Sequence, residues 1–184
     1  LIDLVVFGRA IGKRLAATIE LGKAHKPLPK GSEEFSLERL DHFRHAKGGS
    51  PTADIRLNMQ KTMQKHCAVF RDTATLAEGL DQMQTVNARM QDIHVSDRSL
   101  IWNTDLVETM ELDNLMAQAM VTISSAVNRK ESRGAHSHED FPDRNDAEWM
   151  KHTVSWYDGW GGKPSTGTTN DSIKLDYRPV HEFT

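Results

Sequence analysis

The densest run of groups able to do chemistry is Arg129-Lys130-Glu131-Ser132-Arg133-Gly134-Ala135-His136-Ser137-His138-Glu139-Asp140-Phe141-Pro142-Asp143-Arg144-Asn145-Asp146. Three chemistries compete for it. A metal site could draw nitrogen from His136 and His138 and oxygen from Glu139, Asp140 or Asp143, but a His-x-His pair needs a third ligand whose placement the spacing does not fix. Acid–base catalysis could use His136 beside a carboxylate, yet no nucleophile or cofactor loop accompanies it in the chain. The third account is structural: Arg133 and Arg144 reach neighbouring carboxylates and carbonyls and clamp a loop at a helix end, a task suited to planar guanidinium forks. The structural account leads.

The elements that must position this loop are mostly helical. Leu1 to Leu21 is apolar or small at nearly every position through Ala10, then amphipathic, with Lys13, Arg14 and Glu20 polar. A helix apolar all round is expected to be buried, and Gly8 and Gly12 would let another backbone approach. Gly8-Arg9-Ala10-Ile11-Gly12 is not a dinucleotide fingerprint, since no strand precedes it and the spacing is wrong. Lys26 to Gly31 reads as a linker. A short helix is expected from about Ser36 to Ala46, ended by Lys47-Gly48-Gly49. Ser50-Pro51 then opens a helix carrying Ile55, Met59, Met63 and Phe70, the serine hydroxyl acting as cap.

Asp72 can cap the next helix, in which Leu76, Leu80, Met83, Val86, Met90 and Ile93 recur at helical steps. Another begins near Asn103 or Thr104 and runs to about Asn128, with Leu106, Met110, Asp113, Ala117 and Met120 on one side. Three long helices on short turns make an antiparallel, spectrin-repeat-like bundle, and its methionines read as core filler. After Gly134 the helical period stops. Lys151 to Tyr157 and Ile173 to Tyr177 read as two strands, with Gly159 to Asn170 as the hairpin loop. The expected fold is therefore mainly α: a buried N-terminal helix, a three-helix bundle and a small β-hairpin appendage. The expected divisions fall at residues 1–25, 26–133 and 134–184.

Composition narrows the function. With 23 Lys and Arg against 26 Asp and Glu, the chain lacks the cationic excess that phosphate backbones demand, so nucleic acid is not the expected partner. One cysteine, Cys67, cannot close an intrachain disulfide and suits a reducing compartment; a small apolar core residue is the expected role. The longest apolar stretch, Leu4 to Phe7, is far too short to span a membrane. Leu1 to Phe7 resembles neither a start nor a secretory signal, and the sequence reads as part of a longer protein.

Several motifs in register then resemble one family. Leu1-Ile2-Asp3-Leu4-Val5-Val6-Phe7-Gly8-Arg9-Ala10, Asn103-Thr104 followed by Glu111-Leu112-Asp113-Asn114-Leu115, the Glu-Ser-Arg-Gly-Ala-His and Asp-Phe-Pro-Asp-Arg runs within 129–146, Lys151-His152-Thr153 and Asp176-Tyr177-Arg178-Pro179-Val180 are similar to the C-terminal third of succinate dehydrogenase and fumarate reductase flavoproteins. His138 departs from the family's usual Arg, and Asn145 from its usual Asp. The ending at Tyr177 to Val180 favours the succinate dehydrogenase branch of mitochondrial and alphaproteobacterial type. Fumarate reductase, L-aspartate oxidase and, outside the family, a stand-alone helical interaction module are the alternatives.

The resemblance implies a parent that oxidises succinate to fumarate by hydride transfer to FAD and sends electrons through an iron–sulfur subunit to quinone. It also implies a peripheral subunit at the cytoplasmic face of the bacterial inner membrane, or on the matrix side in mitochondria. The family's catalytic and flavin-linking residues lie upstream of Leu1, so no catalytic residue is expected in this chain, and none of its residues is expected to bind metal. Leu1 alone matches a flavin-facing position. Arg133, His136 and Arg144 are the expected clamp or contact residues. The FAD-binding domain of the same parent, the iron–sulfur subunit and a flavinylation or assembly factor are the implied partners.

Overall fold

A computed structural model describes residues 2–158 and 173–180. Leu1 and the expected hairpin loop at 159–170 lie outside the described residues. The chain forms two compact units, Leu1–Glu33 and Glu34–Thr184.

In the first unit, α1 spans Ile2–Thr18. It forms where the apolar run predicts it, but the expected burial does not occur within this chain: no residue of α1 is buried. Phe7 is 64% exposed and Ile11 58%, and a Cβ added at Gly8 or Gly12 would meet nothing within 4 Å. Helicity here follows from local backbone hydrogen bonds, whereas burial needs a facing surface that this unit does not supply.

The second unit holds the core. Helix α2 is Glu34–Arg44, α3 Thr52–His66, α4 Thr73–Ala88 and α5 Thr104–Asn128. The last three form the expected bundle, up, down and up. Buried Thr52 at the start of α3 shares a 2.6 Å hydroxyl bond with Thr109 near the start of α5. His66, at the end of α3, sits against Gly79 of α4, where an added Cβ would lie 2.3 Å from the His66 Cβ. Ile55, Leu76, Met83, Leu112, Met116, Met120 and Ile123 form the centre of the core. Helix α2 is tied to α5 by Arg39, which donates to the Asp113 carboxylate at 2.8 Å and to the Met110 carbonyl at 3.0 Å.

Two caps form, the expected one at Asp72 and one at Asn103, which the sequence marked only as a candidate helix start. Asp72 accepts from the Thr75 N–H and Asn103 from the Leu106 N–H, both at 2.8 Å, satisfying amides that have no partner inside the helix. Four expectations change. Helix α3 ends at His66, so Phe70 leaves its expected apolar stripe and is 73% exposed. Ser50 does not cap α3; Pro51 holds that position without a side-chain bond, and the Ser50 hydroxyl donates to Asp92 at 3.1 Å. Ser50–Pro51 is instead a short strand, β1, paired in parallel with β3, Ile93–His94. Helix α4 also stops early: Arg89–Asp92 tightens into a 3₁₀ turn, and Ile93 leaves the helix for the strand. Gly48 permits this crossing, because an added Cβ would lie 2.0 Å from the Asp92 carbonyl oxygen.

Beyond α5, β4 (Ser137–His138) pairs in parallel with β2 (Phe70–Arg71), and α6 (Asp146–Trp149) is a single turn. Strands β5 (Lys151–Tyr157) and β6 (Ile173–Pro179) form the expected antiparallel hairpin, with Thr153 opposite Tyr177. β6 runs two residues further than its β-branched and aromatic content suggested.

Candidate functional site

The polar loop is organised around a residue that sequence reasoning did not single out. Glu131 is wholly buried. One carboxylate oxygen accepts from Arg129 Nη1 and from Arg133 Nε, the latter at 2.8 Å; the other accepts from Arg133 Nη2 at 3.1 Å and from the Asn145 N–H at 2.9 Å. Burial pushes its pKa up, but the Arg133 fork, the Asn145 amide and Arg129 together outweigh burial and hold it at about 2.

The arginines extend the network in opposite directions. Arg129 lies 5.1 Å over the Trp149 ring and donates to the carbonyls of Trp149 at 3.2 Å and Lys151 at 2.6 Å, tying the end of α5 to the start of the hairpin. Arg133 also reaches Asp146, whose second oxygen accepts from Arg144 at 2.7 Å. The hydrogen bonds to Glu131 and Asp146, and then the charges of those carboxylates, push the Arg133 guanidinium pKa further upward. The structure thus brings Arg133 and Arg144 together on one carboxylate. Asn145 caps α6, its side-chain oxygen accepting from the Glu148 N–H at 3.2 Å.

His136 lies on the other side of the loop. Its Nε2 is 3.0 Å from the Arg129 carbonyl and its Nδ1 2.8 Å from Arg71 Nη1. A carbonyl can only accept and a guanidinium can only donate, so the ring is neutral, protonated on Nε2 and accepting on Nδ1. Burial lowers its pKa, the hydrogen bond to the Arg129 carbonyl opposes this, and the Arg71 charge adds to the lowering. Its one lone pair is taken, which disfavours both general-base and metal-ligand roles in this conformation. His138 is 2% exposed, with its ring edge-on to Phe141 at 4.8 Å. Among the described residues no three His, Cys, Asp or Glu are grouped to hold a metal.

Arg71 was also missed, and it joins the loop to the bundle. Besides His136 it donates to the carbonyls of Ala68 at 2.8 Å and Cys67 at 3.3 Å. Cys67 is buried and unpaired; burial pushes its thiol pKa up against the opposing charge of Arg71, so it is a poor nucleophile. Between the end of α5, the loop and β5 lies an open cleft of about 530 Å³. Leu1 lies outside the described residues.

Fold and site together define a helical domain whose polar loop is locked by a buried carboxylate between two arginines. Residues 56–183 match the family described as "Fumarate reductase flavoprotein C-term". The chain is 48% identical over 180 residues to the succinate dehydrogenase flavoprotein subunit of Rickettsia bellii, covering 98% of this chain and 28% of that protein. It is 47% identical over 181 residues to the mitochondrial succinate dehydrogenase [ubiquinone] flavoprotein subunit of Oryza sativa subsp. japonica, covering 98% and 27%. A structure of E. coli quinol fumarate reductase superposes with a TM-score of 0.81 at 29% identity, over 99% of this chain and 30% of that one. The chain belongs to the succinate dehydrogenase/fumarate reductase flavoprotein family. It spans under a third of the length of these relatives.

Proposed function

We propose that this chain is the C-terminal structural domain of a succinate dehydrogenase flavoprotein subunit. Its parent oxidises succinate to fumarate by hydride transfer to FAD and passes electrons through an iron–sulfur subunit to quinone. The observation that carries this is the 48% identity over 98% of the chain to a succinate dehydrogenase flavoprotein subunit, against 29% to the fumarate reductase structure.

The residues described here do not fit FAD. No Gly-rich turn between a strand and a helix is present among them to cradle a pyrophosphate, and Gly8 and Gly12 lie inside a helix. We assign no step of the reaction to them. In this reading the domain's work is mechanical. Residues 1–25 carry the last helix of the FAD-binding domain, its exposed apolar face covered by the rest of the parent, and Leu1 is the residue assigned to the flavin. Arg133, His136 and Arg144 hold the loop at 134–146 in the shape that meets the FAD-binding domain, the iron–sulfur subunit or an assembly factor. No helix among the described residues is long and apolar enough to cross a membrane. The proposed parent is a peripheral subunit at the cytoplasmic or matrix face.

The test is made on the longer parent. Membranes containing it should reduce quinone with succinate, and deleting its gene should abolish that activity. Activity surviving the deletion, with a purified parent that succinate does not reduce, would overturn the assignment. The contact role is tested separately by Arg133→Gln, His136→Gln and Arg144→Gln, followed by flavin content and co-purification of the iron–sulfur subunit. If all three variants match the parent in both, the contact role is wrong.

A further inference from the structure

We infer that the cleft between α5, the 129–136 loop and β5 binds a small oxyanion, a phosphate or a compact polycarboxylate. This inference stands apart from the parent's activity.

Four cationic side chains line the cleft, Arg71, Arg129, Arg133 and Lys151, and no Asp or Glu does among its described lining residues. Two of these charges are already answered from outside it: Arg129 and Arg133 meet Glu131, and Arg133 also meets Asp146. Among the described residues the other two meet no carboxylate. The recorded partners of Arg71 are two carbonyls and the His136 lone pair. Lys151 places its ammonium 4.8 Å from the Trp149 ring centroid and 4.1 Å from that of Tyr177. Carbonyl dipoles and ring faces stabilise a cation without neutralising it, so the cleft keeps a net positive field in a partly desolvated setting where charge counts for more than in water.

Trp149 also lines the cleft. Thr153 and Ser125 add hydroxyls to the same lining. Cations without a carboxylate partner, hydroxyl donors and no acid among the described lining residues are together the donor set of an oxyanion site, and they disfavour a metal cation as occupant.

The experiment uses the full 184-residue chain at fixed ionic strength, titrated with inorganic phosphate and with citrate, with chloride as the control, and followed by calorimetry and thermal unfolding. Saturable binding of one or both anions is expected, with a rise in Tm that chloride does not reproduce. Lys151→Gln should weaken it about tenfold, the size of one charge-assisted bond, whereas Lys151→Arg should retain it. Circular dichroism checks that each variant is folded. No binding beyond chloride at about 10 mM, a concentration matching only weak affinity, or equal binding by folded wild type and Lys151→Gln, would overturn the site.

Discussion

Glu131 is the residue on which the loop turns, because its two oxygens accept four hydrogen bonds from Arg129, Arg133 and Asn145. Glu131→Gln removes the charge that compensates two part-buried guanidiniums. Breaking a buried pair from one side costs about 3–5 kcal/mol, so urea denaturation should show a loss of that order, with Glu131→Asp intermediate. Acid should act on the same residue. The folded pKa of about 2 lies below the ordinary 4.5, so the stability Glu131 supplies is full above about pH 4.5 and lost as pH falls towards 2. His136 acts at milder acidity with the same sign. Its folded pKa is lowered from 6.5, so the unfolded chain binds the proton more readily; the contribution is complete above that value and lost as pH falls below it. Comparing unfolding free energies at pH 7.5 and 5.5, wild type should lose more than His136→Gln, whose amide can both donate and accept but cannot titrate. Equal losses would remove His136 from the acid limb. Composition gave no hint that Glu131 is buried, since charged residues are counted as surface by default. The alternation Arg129-x-Glu131-x-Arg133 was the available signal, and it was legible only as a cluster. Arg71 had no local signal at all, because it meets His136, 65 positions further along the chain.

At the scale of elements, what could be read was whatever is encoded within a turn or two. Asp72 announced α4 because a capping side chain sits immediately before the periodic stripe it serves. β5 was legible as a short alternating run. Ile93 misled because it continues the four- and three-residue rhythm of α4, yet its backbone is claimed by a parallel pairing with Ser50. Such two-residue pairings join distant segments, and nothing local specifies them. Ser50 misled for the same reason, its hydroxyl being taken by Asp92. The close crossing of α3 and α4 is a further long-range fact, and it makes a sharp prediction at Gly79. In an isolated helix Gly→Ala would stabilise by about 1 kcal/mol. Here the new Cβ would fall 2.3 Å from the His66 Cβ and 3.1 Å from the Ile123 Cδ1, and overpacking of a core costs about 1–3 kcal/mol. The clash involves atoms close to the backbone, so it wins. Gly79→Ala should lower the urea midpoint and Gly79→Ser should lower it further; a raised midpoint for the alanine variant would mean the helices part freely.

For the whole molecule, the telling contrast is between a unit with a dense core and a helix with none. The apolar run at the N-terminus was plain in the sequence, and helix formation followed from it. Burial did not, because burial is a property of two surfaces and only one is present in Leu1–Glu33. In the proposed parent the second surface belongs to the rest of the flavoprotein. In the chain by itself, Leu4, Phe7, Ile11 and Leu15 are all exposed and are spaced to share one face of α1, an apolar face of the kind that drives association. The 184-residue chain should therefore self-associate with rising concentration in sedimentation velocity. Phe7→Glu with Ile11→Glu should return it to a monomer by placing two charges in that patch. Neither side chain is buried within the chain, so the urea midpoint of the Glu34–Thr184 unit should stay where it is. That second readout separates the mechanism from general destabilisation: a variant that lost association and core stability together would show α1 to be part of the core. A wild-type chain that stayed monomeric at tens of micromolar, a range in which exposed patches ordinarily associate, would show that the apolar face is covered within the chain itself.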